Sequence, residues 1–178
     1  MPHAFLDPKA ADQREAMFTA IGEFIFQFSQ LEFFIRMELG QALGLKEGII
    51  TIVAGPYDFL ALCNVTKTIL TQKDPEKSRH IEQVLNRCKR LNDERVRVAH
   101  GLWTTDEFGY RAWHVSRNTL KADRHFADPE ELARLTEEAR LCVVDVVGLQ
   151  RDESGAERLL HAEIGDRQPM SGEAKSEG

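Results

Sequence analysis

Apolar residues recur every three or four positions in the first part of the chain, and this pattern constrains the fold more than any other feature. The positions are Met17, Ile21, Phe24, Phe28, Leu31, Ile35, Leu39 and Ala42. Because this spacing matches the 3.6-residue period of an α-helix, the sequence predicts one long helix that ends near Gly44. The segment EFIFQFSQLEFFIRMEL is apolar on more than one side, so we expect it to contact several helices or an oligomer interface.

Three further segments have helical patterns. The second lies between residues 47 and 71 and is interrupted by Gly55-Pro56, which predicts a kink. The third follows the capping sequence Asp74-Pro75-Glu76, and the fourth follows Asp128-Pro129, where an aspartate again precedes a proline suited to the first helical turn. The chain therefore predicts four main helices.

The stretch from Leu102 to Val115 changes to two short β-prone pieces, LWTT and YRAWHV, separated by turn residues, which predicts a hairpin. The expected fold is all-α: a bundle of four main helices, the second one kinked, with a small β-hairpin between helices 3 and 4. The apolar period fades after Arg151, so residues 1–151 are predicted to form a single domain and residues 152–178 a flexible tail.

Composition limits the classes of function. The chain has 178 residues, 42% of them hydrophobic, and a formal net charge of −6, which argues against a surface built throughout to coat nucleic acid. No signal peptide and no uninterrupted apolar run of about 18 residues is visible, so we expect a cytoplasmic protein that does not enter a membrane.

The three cysteines, Cys63, Cys88 and Cys142, are far apart in sequence and each lies among apolar neighbours. This spacing predicts buried thiols rather than a disulfide framework or a metal site. No cluster of metal ligands and no glycine-rich phosphate loop is present, so neither a metal nor another cofactor is expected.

One arginine interrupts the apolar side of the third helix. The apolar positions advance through 81, 84, 85, 88, 91, 98 and 99, and Arg95 occupies the inward position between them. A buried guanidinium needs a carboxylate or a bound anion, because isolated burial costs several kcal/mol. Glu32 interrupts the apolar row of the first helix in the same way, so we expect Arg95 and Glu32 to be in contact. That contact suits either a structural ion pair or an anion-binding site that Glu32 orients.

His100 follows five residues later and would lie about 140° from Arg95 around a regular helix. We expect Gly101 to end the helix in the left-handed conformation, which would let His100 leave the helical path and approach Arg95. Near a helix C-terminus the charged imidazole is favoured, which suits proton transfer, although capping or packing alone would also explain this histidine.

Residues 77–100 carry seven basic side chains against three acidic ones, a net +4 in an acidic chain. Such a run is usually a solvated helix face, but it also suits a phosphate backbone, which makes Arg90 and Arg97 candidate substrate-binding residues. Aromatic side chains of the predicted hairpin, Trp103, Tyr110 and Trp113, would either stack on bases or pack across the strands.

The run Arg95-Val96-Arg97-Val98-Ala99-His100 near the end of a long helix, together with the glutamate in IGEFIFQFSQLE, resembles the HEPN superfamily. The likeness in layout spans approximately residues 15 to 150. It implies a homodimeric, metal-independent endoribonuclease, often a toxin or a defence component, with RNA as substrate and an antitoxin protein as a second partner. The same resemblance implies that Arg95 holds the scissile phosphate and that His100 transfers a proton.

Val96 departs from the family pattern, in which a polar residue, often asparagine, follows the arginine. Asn92, one turn earlier, is a candidate substitute, and Glu32 is the candidate supporting carboxylate. Two hypotheses follow: a HEPN-like ribonuclease, or a non-catalytic binding and dimerisation module in which the Arg95–Glu32 pair is structural. Whether the chain is an enzyme is left open by the sequence.

Overall fold

The computed structural model describes residues 8–106, 109–115, 122–126 and 128–150. Five helices and three strands occur in these ranges: α1 (Pro8–Ala42), α2 (Glu47–Ala54), α3 (Phe59–Lys73), α4 (Ser78–His100), β1 (Leu102–Asp106), β2 (Gly109–Val115), β3 (Ala122–His125) and α5 (Pro129–Gly148). The predicted all-α class is confirmed, because helices make up most of the described chain. The predicted tail at 152–178 lies outside the described residues.

The long helix α1 is the central element of the core. It has 35 residues, and the predicted inward positions Phe24, Phe28, Leu31, Ile35 and Leu39 are at most 2% exposed. Helices α3, α4 and α5 all pack against this helix. A spacing of three and four residues places these side chains on one side of α1, which explains how one helix can contact three others.

The second predicted element is two helices rather than one kinked helix. Residues 48–54 and 59–73 are inclined to each other by 115°. The break falls at Gly55-Pro56, as predicted, but the chain then starts a new helix at Phe59, with Asp58 as its N-cap accepting a hydrogen bond from the Ala61 backbone N–H at 2.7 Å. A capped start costs less than a sharp bend within one helix, because the cap satisfies a free N–H group.

Helix α5 begins and ends in well-defined contacts. The Asp128 carboxylate accepts a hydrogen bond from the Glu130 N–H at 2.9 Å, and Pro129 occupies the first turn, as the sequence predicts. At the other end, the Gln150 side-chain amide donates to the Glu38 carbonyl at 2.7 Å and to Glu38 Oε2 at 2.6 Å. The first contact caps the start of α5, and the second fixes its end beside α1.

The chain between α4 and α5 forms a small antiparallel sheet with strand order β1-β2-β3. Strands β1 and β2 pair with Leu102 opposite Trp113 and Asp106 opposite Gly109. Strand β3 was not predicted, since its four residues, ADRH, have neither alternation nor β-branched side chains. Among the described helices, none alone has the length and apolar composition of a membrane span, although the bent pair of α2 and α3 has them together.

The three cysteines are free and buried, as predicted. They come from three helices, with Cys63 on α3, Cys88 on α4 and Cys142 on α5. Burial raises the pKa of the Cys63 thiol from 9.0 to about 12. A hydrogen bond with Cys142 and burial together raise the pKa of Cys88.

We expect alkaline pH to destabilise the fold through Cys63. Its pKa is raised in the folded state, so above pH 9.0 the unfolded chain loses a proton that the folded chain keeps until about pH 12. The stabilisation that the protonated Cys63 thiol gives is complete below pH 9.0. Above that pH the free energy of unfolding declines by up to about 1.4 kcal/mol per pH unit for this one thiol. Urea unfolding between pH 8 and pH 11 measures this slope, which should be shallower in Cys63→Ala; equal slopes in both proteins would contradict the assignment.

Candidate functional site

Arg95 continues the inward side of α4 but is only half-buried. The inward residues before it are fully buried: Ile81, Val84, Leu85, Cys88 and Leu91. Its guanidinium carbon lies 5.4 Å from the centroid of the Phe28 ring on α1. Phe28 in turn contacts Phe59 of α3, with 4.6 Å between ring centroids. The arginine charge is therefore placed over the electron-rich face of a ring that two other helices hold, a cation–π contact.

The predicted contact between Arg95 and Glu32 is wrong. Glu32 forms a salt bridge with Arg36 at 2.5 Å, and these two side chains are 25% and 27% exposed. Within the described part of the chain, Arg95 has no salt bridge. The physical reason is local: a glutamate four residues before an arginine on the same helix meets it without any constraint from helix packing. The buried Arg95–Glu32 pair of the second hypothesis is therefore excluded.

Arg95 is partly exposed because α3 starts beside it. Helices α3 and α4 run antiparallel, joined by Lys89 with Asn64 at 2.6 Å and by Glu82 with Lys67 at 3.6 Å. Extending this alignment places Arg95 beside the first turn of α3. Ala99, one turn after Arg95 on the same side of α4, is exposed. On the inward side of the last turn of α4, Arg95 is therefore half-buried and Ala99 exposed, while Val98 between them is 3% exposed.

His100 does not turn back toward Arg95. It is the last residue of α4 and is exposed, and the Gly101 N–H still donates to the Arg97 carbonyl at 2.9 Å. Gly101 has φ −65° and ψ 148°, so the expected left-handed conformation is wrong. The extended conformation leads directly into β1 at Leu102, and no reversal of the chain is needed there. On the regular helical path, His100 lies about 140° around and about 7.5 Å along α4 from Arg95.

Two of the other predicted residues lie on the His100 side of α4. Arg90 and Arg97 are seven residues apart and therefore share one side of the helix, and His100 follows Arg97 by three residues. Arg90 is exposed, while Arg97 donates a hydrogen bond to Glu94 on its own helix. The predicted site residues therefore divide into an inner group around Arg95 and an outer group around His100.

Asn92 lies on the inner side of α4, next to Arg95. It is 8% exposed and lies three residues before Arg95, so the two side chains are neighbours on α4. Val96 is half-buried and, being a hydrocarbon, offers no hydrogen bond to a phosphate or a hydroxyl.

Trp103 is half-buried and packs against the end of α4 and Phe126. Its indole Nε1–H donates to the Val98 carbonyl at 2.9 Å, which satisfies one of the last carbonyls of α4. Its ring stacks on Phe126 with 6.3 Å between centroids and 21° between planes. These contacts give Trp103 a packing role, and its binding of bases stays a prediction. The side chains of Tyr110 and Trp113 lie outside the described part of the structure.

The contact between Arg95 and the Phe28 ring was not predicted from the sequence. Phe28 was assigned to the core because of its helical spacing, and its 2% exposure agrees with that role. The signal was present, since Phe28 lies four residues, about one turn, before Glu32 in the row thought to face Arg95. An arginine on an apolar helix side can be stabilised by an aromatic ring as well as by a carboxylate.

An open groove of about 440 Å³ lies between the first turns of α1 and α5. Its charged lining residues are all acidic: Asp12, Glu15, Glu23 and Glu130. Such a lining repels phosphate, so the groove does not compete with Arg95 as a nucleic-acid site. Across the described ranges, no group of three histidine, cysteine, aspartate or glutamate side chains is arranged to hold a metal ion.

Comparisons of the chain with protein-family models, with curated proteins and with solved structures give no match.

Proposed function

We propose that this chain is a metal-independent endoribonuclease of the HEPN type. The observation that carries the proposal is the half-buried guanidinium of Arg95 near the C-terminal end of α4, with a ring beneath it and no carboxylate paired to it among the described residues. Such a guanidinium keeps its donors available for the two oxygens of a phosphate. The net +4 of residues 77–100 favours a polyanion at the same helix.

The chemistry assigned to this site is transesterification of RNA. The ribose 2′-hydroxyl attacks the adjacent phosphorus, a new P–O2′ bond forms and the P–O5′ bond breaks. Arg95 stabilises the charge on the phosphate oxygens, while His100 takes the 2′-hydroxyl proton or gives one to the 5′-oxygen. The products are a 2′,3′-cyclic phosphate and a free 5′-hydroxyl.

Within one protomer Arg95 and His100 diverge, so the proposal requires a homodimer in which the two motifs face each other. Each phosphate would then contact Arg95 of one protomer and His100 of the other protomer. In a toxin–antitoxin pair, a second protein would cover this cleft.

A non-catalytic binding module is the second candidate. The separation of Arg95 and His100 around α4 and the hydrocarbon side chain of Val96 favour it. In this case the Arg95 side holds an anionic partner and no bond is broken.

The test is RNA cleavage in the presence of EDTA. We expect the wild type to cut labelled RNAs to fragments with cyclic phosphate ends, and His100→Ala to lose at least about 100-fold in rate, as removal of a general acid or base does. His80→Ala is the matched control, because His80 is an exposed histidine on the same helix. Binding without cleavage would identify the binding module, and intact RNA with no binding would remove both candidates.

A further inference from the structure

Helix α1 has a second apolar stripe on the side that faces away from the core. Its members, named here the outer stripe, are Gly22, Phe26, Ser29, Phe33 and Met37. Phe26 is 65% exposed and Phe33 is 45% exposed, although both are large aromatic side chains. Steps of four, three, four and four residues keep these positions on one side of the helix. The first four members are therefore a continuous exposed seam along α1, and Met37, half-buried against the core, ends it.

The outer stripe is symmetric about its centre. Around the midpoint between Ser29 and Gln30, Phe26 corresponds to Phe33, and Gly22 corresponds to Met37. An antiparallel copy of α1 would therefore bring Phe26 onto Phe33 twice and place each methionine over a glycine. A Cβ built at Gly22 meets no atom within 4 Å, so that position has room for a partner side chain.

Helix α5 extends the apolar surface next to the stripe. It borders α1 along the side that includes Thr19 and Glu23. The contact between Gln150 and Glu38 fixes its position along the axis of α1. Since both helices rise equally per residue, Leu141 lies at the height of Ser29. Leu141 is 43% exposed and Val144 on the same ridge is 58% exposed.

The size of this surface suits a pair of identical chains. The exposed parts of the two phenylalanines and of the α5 ridge amount to roughly 300–400 Å², given about 150–250 Å² for a whole phenylalanine. That is comparable to the largest apolar patches of soluble monomers, which often mark an interaction site. It supplies nearly half of the roughly 800 Å² that each partner buries in a stable interface, and the polar rim supplies the rest.

We propose that a second copy of this chain covers the outer stripe, with the two α1 helices antiparallel and a two-fold axis between Ser29 and Gln30. In a two-fold interface every contact occurs twice, because both copies use the same surface. The outer stripe suits such an interface because its residues are arranged symmetrically about one point on the helix. The inner side of α1 carries Phe28 and its contact with Arg95, so this interface lies apart from the candidate phosphate site. It is not the interface at which the proposed nuclease would bring its two motifs together, and a chain with both interfaces would be a tetramer that loss of the outer stripe reduces to a dimer.

The first test is the mass of the particle in solution. We expect sedimentation of the wild type to show association, and Phe26→Glu/Phe33→Glu to halve the mass of the particle with unchanged helical content by circular dichroism. Ile52→Glu on α2 is the matched control, because Ile52 is 78% exposed and lies outside the outer stripe. A monomeric wild type, or a double variant with the same mass as the wild type, would overturn the proposal, and so would dissociation by Ile52→Glu.

A charge-pair variant tests the antiparallel arrangement itself. In Phe26→Glu/Phe33→Lys, each glutamate would face a lysine of the other copy, so we expect association at least tenfold tighter than that of the double glutamate variant. High salt should remove this gain, because the new pairs are exposed. Equal association of the two variants at low salt would contradict the proposed two-fold axis.

Discussion

Replacing Arg95 by alanine is expected to lower RNA cleavage by about 10²–10³-fold, the loss seen when one group that stabilises transition-state charge is removed. The free energy of unfolding should change by no more than about 1 kcal/mol, the size of a partly exposed cation–π contact. The two expectations differ because Arg95 contacts the Phe28 ring and leaves no carboxylate unpaired when it is removed.

The stability measurement distinguishes this site from a structural ion pair. A carboxylate left buried and unpaired would cost about 3–5 kcal/mol, whereas Glu32 keeps its salt bridge with Arg36 in the variant. Arg95→Lys should recover stability but little activity, because an ammonium group cannot hold two phosphate oxygens in the geometry of a guanidinium.

Arg79→Ala is the matched control for Arg95→Ala. Arg79 is an exposed arginine near the other end of α4, so its loss removes the same charge from the same helix. We expect it to change cleavage only slightly, and the salt dependence of RNA binding to fall by about one unit of slope at most. Equal losses of cleavage in the two variants would show that Arg95 acts through charge alone and would remove its assigned role at the phosphate.

The sequence predicts the helices well, since their apolar period is a property of each segment. The spacing from Met17 to Ala42 identifies α1 and its inward side, and the aspartate before Pro129 identifies the start of α5. The partner of Glu32 was harder to predict, because Arg36 on the same helix and Arg95 on another compete for it. Only the packed structure shows that the local pair forms.

The exposure of the candidate site depends on where a neighbouring helix starts, and local sequence does not report this. Arg95 has an inward position in the period of α4, but it lies beside the start of α3 and is only half-buried, and Ala99 one turn later is exposed. The conformation of Gly101 was misjudged for a similar reason, because a glycine after a helix suits both a left-handed cap and an extended link to a strand.

Replacing Phe28 by alanine is expected to lower the free energy of unfolding by about 3–5 kcal/mol, the usual cost of removing a buried phenylalanine side chain. Phe28 is 2% exposed, and its ring contacts both Phe24 and Phe59 as well as the guanidinium of Arg95. The substitution removes one ring–ring contact between α1 and α3 and also the surface that positions the arginine. Urea unfolding measures the first effect, and RNA binding by the folded fraction measures the second.

Phe26→Ala is the matched control, because it removes the same side chain from the same helix at a position that is 65% exposed. Measured at protein concentrations where both variants are monomeric, it should change the free energy of unfolding by no more than about 0.5 kcal/mol. Similar costs for the two variants would contradict the assignment of Phe28 to the core and Phe26 to the outer stripe. A Phe28→Ala variant that is destabilised yet binds RNA as well as the wild type would separate the two roles and show that Arg95 does not need the ring beneath it.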